Sequence, residues 1–264
     1  MERALLDSMV DDLKERMVFL VGPRQVGKTT LARRVLERLS PAHPVYLTWD
    51  HPRDRKIIRD LAWDRAPRVA VLDEVHKYSR WQGLVKGFHD TESGRQRLLI
   101  TGSARLDVYR RGGDSLQGRY FAYRLHPFSV GEILREGKPA DSAVLKSLAR
   151  WPEAKAAPQD IVESLIEHGG FPEPFLHAGA RFTGRWRLAR RERVLFQDLR
   201  DLSMVRDISL VEQLVDLLTH RVASPLSINS VRQDMESDHK TVAHWIELLE
   251  RLYVVFRIPA YAGR

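Results

Sequence analysis

The ten residues VGPRQVGKTT, Val21 to Thr30, decide how the rest of the chain is read. Gly22, Gly27, Lys28 and Thr29 fit G-x-x-x-x-G-K-[ST], the pattern of a loop that wraps phosphate. The chemistry requires that order. Glycines let backbone N–H groups curl around phosphate oxygens, and the helix that follows presents the partial positive charge of its N-terminus to them. The flanks agree. MVFLV (17–21) is an apolar run suited to a buried strand, and TTLARRVLERLS behind it sets Leu31, Val35 and Leu39 on one helical face. Lys28 is expected to reach the β- and γ-phosphates of a nucleotide, and Thr29 to offer its hydroxyl to Mg²⁺. The plainer alternative is a glycine turn entering an ordinary helix.

A second element narrows the reaction. RVAVLDEVHKYSRW places the apolar run Val69 to Leu72 directly before Asp73 and Glu74. A buried strand ending in two acids puts a carboxylate beside the phosphates. Asp73 can then hold Mg²⁺ through its water shell, and Glu74 can orient or deprotonate an attacking water. A third strand, Leu98 to Ile100, leads into TGSAR, so Thr101 or Ser103 stands at a strand end near the γ-phosphate. PVYLTW (44–49) adds a strand, and Asp54 to Ala62 a helix with Ile57, Ile58 and Leu61 on its apolar side. The alternation predicts a mainly parallel sheet covered on both faces, with ligands at the carboxyl ends of its strands. The only asparagine is Asn229, so the N-K-x-D motif that reads guanine is absent. The acidic pair argues against a small-molecule kinase.

Composition sets outer bounds. No stretch of the 264 residues approaches a membrane span, and the start, MERALLDSMVDDLKER, lacks the form of a signal peptide. Zero cysteines fit a reducing cytoplasm. A net charge of +8 favours a polyanionic partner, although only nine of the 43 basic residues are lysine, a bias that genomic base composition also produces.

GPRQVGKTT, VAVLDEVHKYSRW, LLITGSARLDVYRRGGDSLQGRY, YRLHPFSVGEIL and HGGFPEPFL, in that order, resemble the predicted ATPases of the AAA+ superfamily that carry a domain of unknown function after the ATPase core. The resemblance implies an α/β P-loop NTPase fold, followed by a helical lid and a winged-helix-like C-terminal module. ATP and Mg²⁺ are the implied ligands. Gly22, Pro23, Arg24, Gln25, Val26, Gly27, Lys28, Thr29 and Thr30 become Walker A, Asp73 and Glu74 Walker B, and Ser103 the sensor-1 residue. Arg119 falls where such proteins carry an arginine finger, which implies a homo-oligomer in which it reaches a neighbour's γ-phosphate; a loop pairing with Asp114 or another carboxylate is the alternative. Family members continue into a further nuclease-like segment, so the chain ending PAYAGR is expected to lack that lobe.

The expected domains are a core at 1–132, a linker and helical lid at 133–206, and a winged-helix-like part at 207–264. GKPADS and WPEAKAAPQD read as linkers, and IVESLIEHGGFPEPFL as a helix ended by Gly169, Gly170 and a proline-bracketed turn that packs a lid on the core. RFTGRWRLARRERVLFQDLRDL reads as an amphipathic helix with Leu188, Leu195, Leu199 and Leu202 in a stripe. Its arginines either meet ATP or nucleic-acid phosphates, or form a solvated face paired to Glu192, Asp198 or Asp201. Beyond it come three helices, the second capped by Ser227 or Asn229 and the third by Ser237, and then a strand at 254–261. In a winged helix-turn-helix the third helix exposes His239, Lys240 and His244 to DNA and buries Val242, Ile246, Leu249 and Leu252, with Asp238 opposing phosphate. The function expected is Mg²⁺-dependent ATP hydrolysis coupled to conformational change. The alternatives are an ATP-sensing DNA-binding or regulatory switch with little turnover, and a DNA-associated motor or defence component.

Overall fold

The structure, a computed structural model, describes residues 3–92, 94–103, 116–134, 158–202 and 207–260. GKPADS, residues 151–157 and Asp114 lie outside the described residues. The chain divides into two compact units, Met1–Thr183 and Gly184–Arg264.

In the first unit the apolar runs become strands because a parallel sheet covered on both faces has no polar side to present. Strands β1 (Met17–Val21), β2 (Val45–Thr48), β3 (Val69–Asp73), β4 (Arg97–Gly102) and β5 (Tyr120–Arg124) lie in the order β2-β3-β4-β1-β5. Every pairing is parallel. Strand period two splits each run between two cores. Val18, Leu20, Val69, Val71 and Leu99 pack against α1 (Leu6–Asp12) and α2 (Lys28–Leu39). On the other face Phe19, Leu72 and Ile100 meet Ile58 of α3 (Pro52–Arg59) and Trp81, Val85 and Phe88 of α4 (Trp81–Glu92). Full burial of such side chains contributes about 1.5–3 kcal/mol each.

Helix α3 opens on Pro52, whose fixed φ suits a first turn, and stops short of the expected Ala62 because Leu61 turns left-handed at φ 49. Ile58 is fully buried, while Ile57 and Leu61 are only partly so. Beyond β5 comes α5 (Val130–Leu134), and the GGFPE motif docks back on the same unit after α6 (Gln159–His168). Phe128 N–H donates to Gly170 O at 2.6 Å. Pro172 starts a short helix, α7 (Pro172–His177), where a turn was expected. Helix α8 (Ala180–Glu192) follows.

The second unit is helical. The turns Arg193–Asp198 are π-helical and lead into α9 (Leu199–Leu202). The wider turns shift the helical phase, so the expected leucine stripe fails at one end. Leu195 and Leu199 are buried, whereas Leu188 is 69% exposed. Helices α10 (Ile208–Thr219), α11 (Ile228–Asp234) and α12 (His239–Arg251) follow. Ser227 caps α11 as expected, but Asp238, rather than Ser237, caps α12, its carboxylate accepting from the N–H groups of Lys240 and Thr241. Val242, Ile246, Leu249 and Leu252 are buried, and His239, Lys240 and His244 are exposed. The strand expected at 254–261 does not form over residues 254–260; Tyr261 is outside the described residues. No other described residues of this unit form a strand with which it could pair, and an isolated strand leaves its backbone groups unpaired. Phe256 and Ile258 are 82% and 84% exposed. The winged-helix reading therefore has three helices and no wing among the described residues. None of these residues forms a helix long and apolar enough to cross a membrane.

One close approach fixes how the first unit closes over its central strand. Leu125 N–H donates to Val21 O at 2.8 Å, and a Cβ on Gly22 would lie 2.4 Å from Leu125 O, with Gly22 at φ 156. Gly22→Ala should therefore cost about 1–3 kcal/mol in chemical denaturation, the usual cost of forcing atoms into a packed site. Gly87→Ala, in the middle of α4 with open space around its Cα, should instead gain about 0.5–1 kcal/mol from helix propensity.

Candidate functional site

The loop from Gly22 to Gly27 leaves the carboxyl end of β1 and enters α2. Gln25 and Gly27 take positive φ values of 62 and 98. Alternation of right- and left-handed residues turns successive N–H groups inward, which is the geometry of an anion-binding nest. A Cβ at Gly27 would meet only Pro172 Cγ, at 3.8 Å, so it is the left-handed backbone that calls for glycine there. Gly27 also supplies no side-chain cap to α2. Lys28 is buried and folded back over the loop, its ammonium donating to Gly22 O at 3.0 Å and Pro23 O at 2.7 Å.

Register brings the acids to this loop. Val21 lies opposite Gly102 of β4, and Asp73 opposite Thr101 on the other side of β4. Loop and carboxylate are thus two strand spacings apart, roughly 10 Å. Asp73 follows Leu72 and so falls on the α2 face with Val69 and Val71. Both its oxygens are engaged. The Thr101 hydroxyl donates to Oδ1, and the Tyr46 hydroxyl donates to Oδ2 at 2.7 Å. Thr101 is fully buried, and Ser103 lies half-buried just past the end of β4. The Tyr46 phenol is held well above the usual tyrosine range, chiefly by burial and then by Asp73.

Glu74 leaves the strand in a left-handed conformation, φ 56, with its N–H donated to Thr101 O at 2.9 Å. That twist separates two adjacent acids. Glu74 Oε2 lies 3.4 Å from Lys77 Nζ and 3.6 Å from His76 Nε2 and accepts no hydrogen bond among the described residues. Lys77 in turn bonds Asp50 at 2.6 Å.

Arg119 sits elsewhere. It precedes β5, whose first residue, Tyr120, lies opposite Met17, so Arg119 stands at the amino edge of the sheet, about 16 Å from the loop at the far end of β1. Its guanidinium pairs with the exposed Asp90 at 3.2 Å. The pairings of the arginine-rich segment are also more distant in sequence than expected: Arg191 is paired with Asp216 at 2.8 Å, whereas Arg190 feels Asp198 and stacks over Trp186.

Two contributors escape a reading of the sequence. Tyr46 looked like one more strand residue. Arg3 donates to Val26 O of the loop at 3.1 Å, to His126 O and to Glu132 Oε1 at 2.8 Å, and lies over the Phe128 ring. This largely buried ion pair fastens the loop from outside. Neither residue sits in a short motif; only the alternation in PVYLTW, which puts Tyr46 on the same face as Thr48, carried a signal.

Two family models match parts of the chain. Residues 14–134 match a family model described as AAA domain, and residues 159–264 match one described as Domain of unknown function (DUF8612). None of the curated proteins matches the chain. Among solved structures, AMPPCP-bound DnaA from Aquifex aeolicus is similar at 15% identity and a TM-score of 0.44, over 93% of this chain and 86% of that one. The Thermotoga maritima RuvB Holliday junction branch migration motor is similar at 17% identity and a TM-score of 0.44, over 96% of this chain and 87% of that one. The strand order, the loop after β1 and the acids after β3 form a P-loop NTPase fold. Residues 14–134 are thus similar to an AAA domain on a P-loop NTPase fold, and residues 159–264 to a domain of unknown function.

Proposed function

We propose that this chain is a Mg²⁺-dependent ATP hydrolase whose site is completed by a second copy. The observation that carries the reading is the convergence of the loop, Lys28, Asp73 and Glu74 on one edge of the sheet. The residues fit the ligands: a nest of amides and a buried ammonium for the triphosphate, a hydroxyl and a carboxylate for the cation. Residues 22–30 bind the phosphates, and Lys28 exchanges its carbonyl partners for β- and γ-phosphate oxygens. Mg²⁺ held between Thr29 and Asp73 would neutralise charge on those oxygens. Glu74 orients a water and accepts its proton as the new O–P bond forms and the bond to the β,γ-bridging oxygen breaks. Ser103, next to the strand end, would report on the γ-phosphate.

Arg119 cannot serve its own site, because an arginine side chain spans less than half of the distance along β1. Its only route to a γ-phosphate is through a neighbouring copy. The Asp90 pair that it would leave is exposed and solvent-screened, so it offers little resistance. Coupling to a lid, and contact of exposed arginines such as Arg181 and Arg185 with nucleic acid, extend this reading and are tested by a rise in hydrolysis with DNA and a steep fall in binding with salt.

Wild type should release phosphate from ATP. Glu74→Gln should keep ATP affinity while turnover falls by about 10²–10⁴, and Lys28→Ala should lose affinity; turnover in Glu74→Gln equal to that of wild type would remove Glu74 from the reaction. ATP retained without turnover by wild type would point to the sensing switch. Arg119→Ala and Glu74→Gln should each be inactive alone, yet regain part of the hydrolysis when mixed, since each then supplies what the other lacks. Silence of the mixture, with both chains shown to associate, would exclude the finger.

A further inference from the structure

The hydroxyl of Tyr46 holds the carboxylate assigned above to the cation. It donates its single proton to Asp73 Oδ2 at 2.7 Å. Direction follows from the donor inventory. An ionised carboxylate only accepts, so the tyrosine proton goes to Asp73. On the other side Thr101 holds Oδ1, so both carboxylate oxygens are fixed in orientation.

The side chain is built for that span. Tyr46 lies opposite Val71, two residues before the Asp73 register position, a rise of roughly 6.6 Å that a tyrosine ring bridges. The ring packs on the α2-side core under the Arg33 guanidinium, 5.4 Å from its centroid, and borders a cavity of about 530 Å³. That arrangement keeps the hydroxyl on target from the side away from the phosphate loop.

We propose that Tyr46 is a positioning residue for magnesium, its hydroxyl orienting Asp73 so that the metal-dependent part of ATP affinity is realised. The proposal rests on the reading of Asp73 given above. Its test is calorimetric titration of the full chain with ATP, once with Mg²⁺ and once with EDTA, for wild type and Tyr46→Phe. The factor by which Mg²⁺ tightens binding should shrink about tenfold in the variant, the usual scale for losing a partner that orients a metal ligand. Affinity in EDTA should not change, because the loop and Lys28 are untouched. An unchanged magnesium factor in Tyr46→Phe would overturn the proposal while leaving the ATP reading intact. A larger factor would also overturn it, by making the hydroxyl a competitor of the metal. Equal loss in both arms would reduce Tyr46 to a structural role. Absence of ATP binding by wild type in both arms would instead sink the proposed function, and this inference with it.

Discussion

The structure depends on the level register of three adjacent parallel strands. Because Val21 lies opposite Gly102 and Asp73 opposite Thr101, the chain leaves β1, β4 and β3 at the same edge, so the glycine loop and the acids share one region of space. A slip by one residue in β3 would send Asp73 to the α3–α4 face and drive Leu72 under α2. The apolar residues that fill the two cores therefore do more than stabilise the sheet. They select the one register in which Asp73 meets the hydroxyls of Tyr46 and Thr101.

The elements legible in the sequence are those in which a local pattern and a buried face coincide. MVFLV reads as a strand because all five residues are buried, and the loop behind it reads from its glycines and Lys28. The order of loop, acidic pair and third strand then fixes the site's outline. What could not be read has a long-range cause. Arg3 and Glu132 are 129 residues apart, and Tyr46 and Asp73 are 27 apart. No periodicity marks either pair. The amino edge of the sheet, where Arg119 stands, is likewise a consequence of pairing; along the sequence, Arg119 merely precedes a strand.

In the second unit the same contrast separates success from failure. Helix α12 was legible because its apolar residues recur at helical spacing and all bury. The alternation in VVFRIPAY imitates a strand, but strand structure needs a partner edge, and no other described residues of that unit form one. The leucine stripe failed for a different reason. It assumes 3.6 residues per turn, and the π-helical turns at Arg193–Asp198 break that phase, so Leu195 and Leu199 bury together with Val194 while Leu188 stays exposed.

The site also includes conformations that a free chain avoids. Gln25 and Glu74 are non-glycine residues in left-handed backbone, each at a cost of about 1 kcal/mol or more. Both lie where the chain changes direction abruptly, one inside the glycine loop and one just after Asp73. Neither conformation is held by its own residue. The Glu74 N–H is anchored on Thr101 O, and the turn beyond Gln25 is anchored through Val26 O by Arg3, which is itself tied to Glu132. The glycine loop is thus held in part by groups outside it. The anchors lie in the packing of the first unit, so the shape of the loop depends on residues as far along the chain as Glu132.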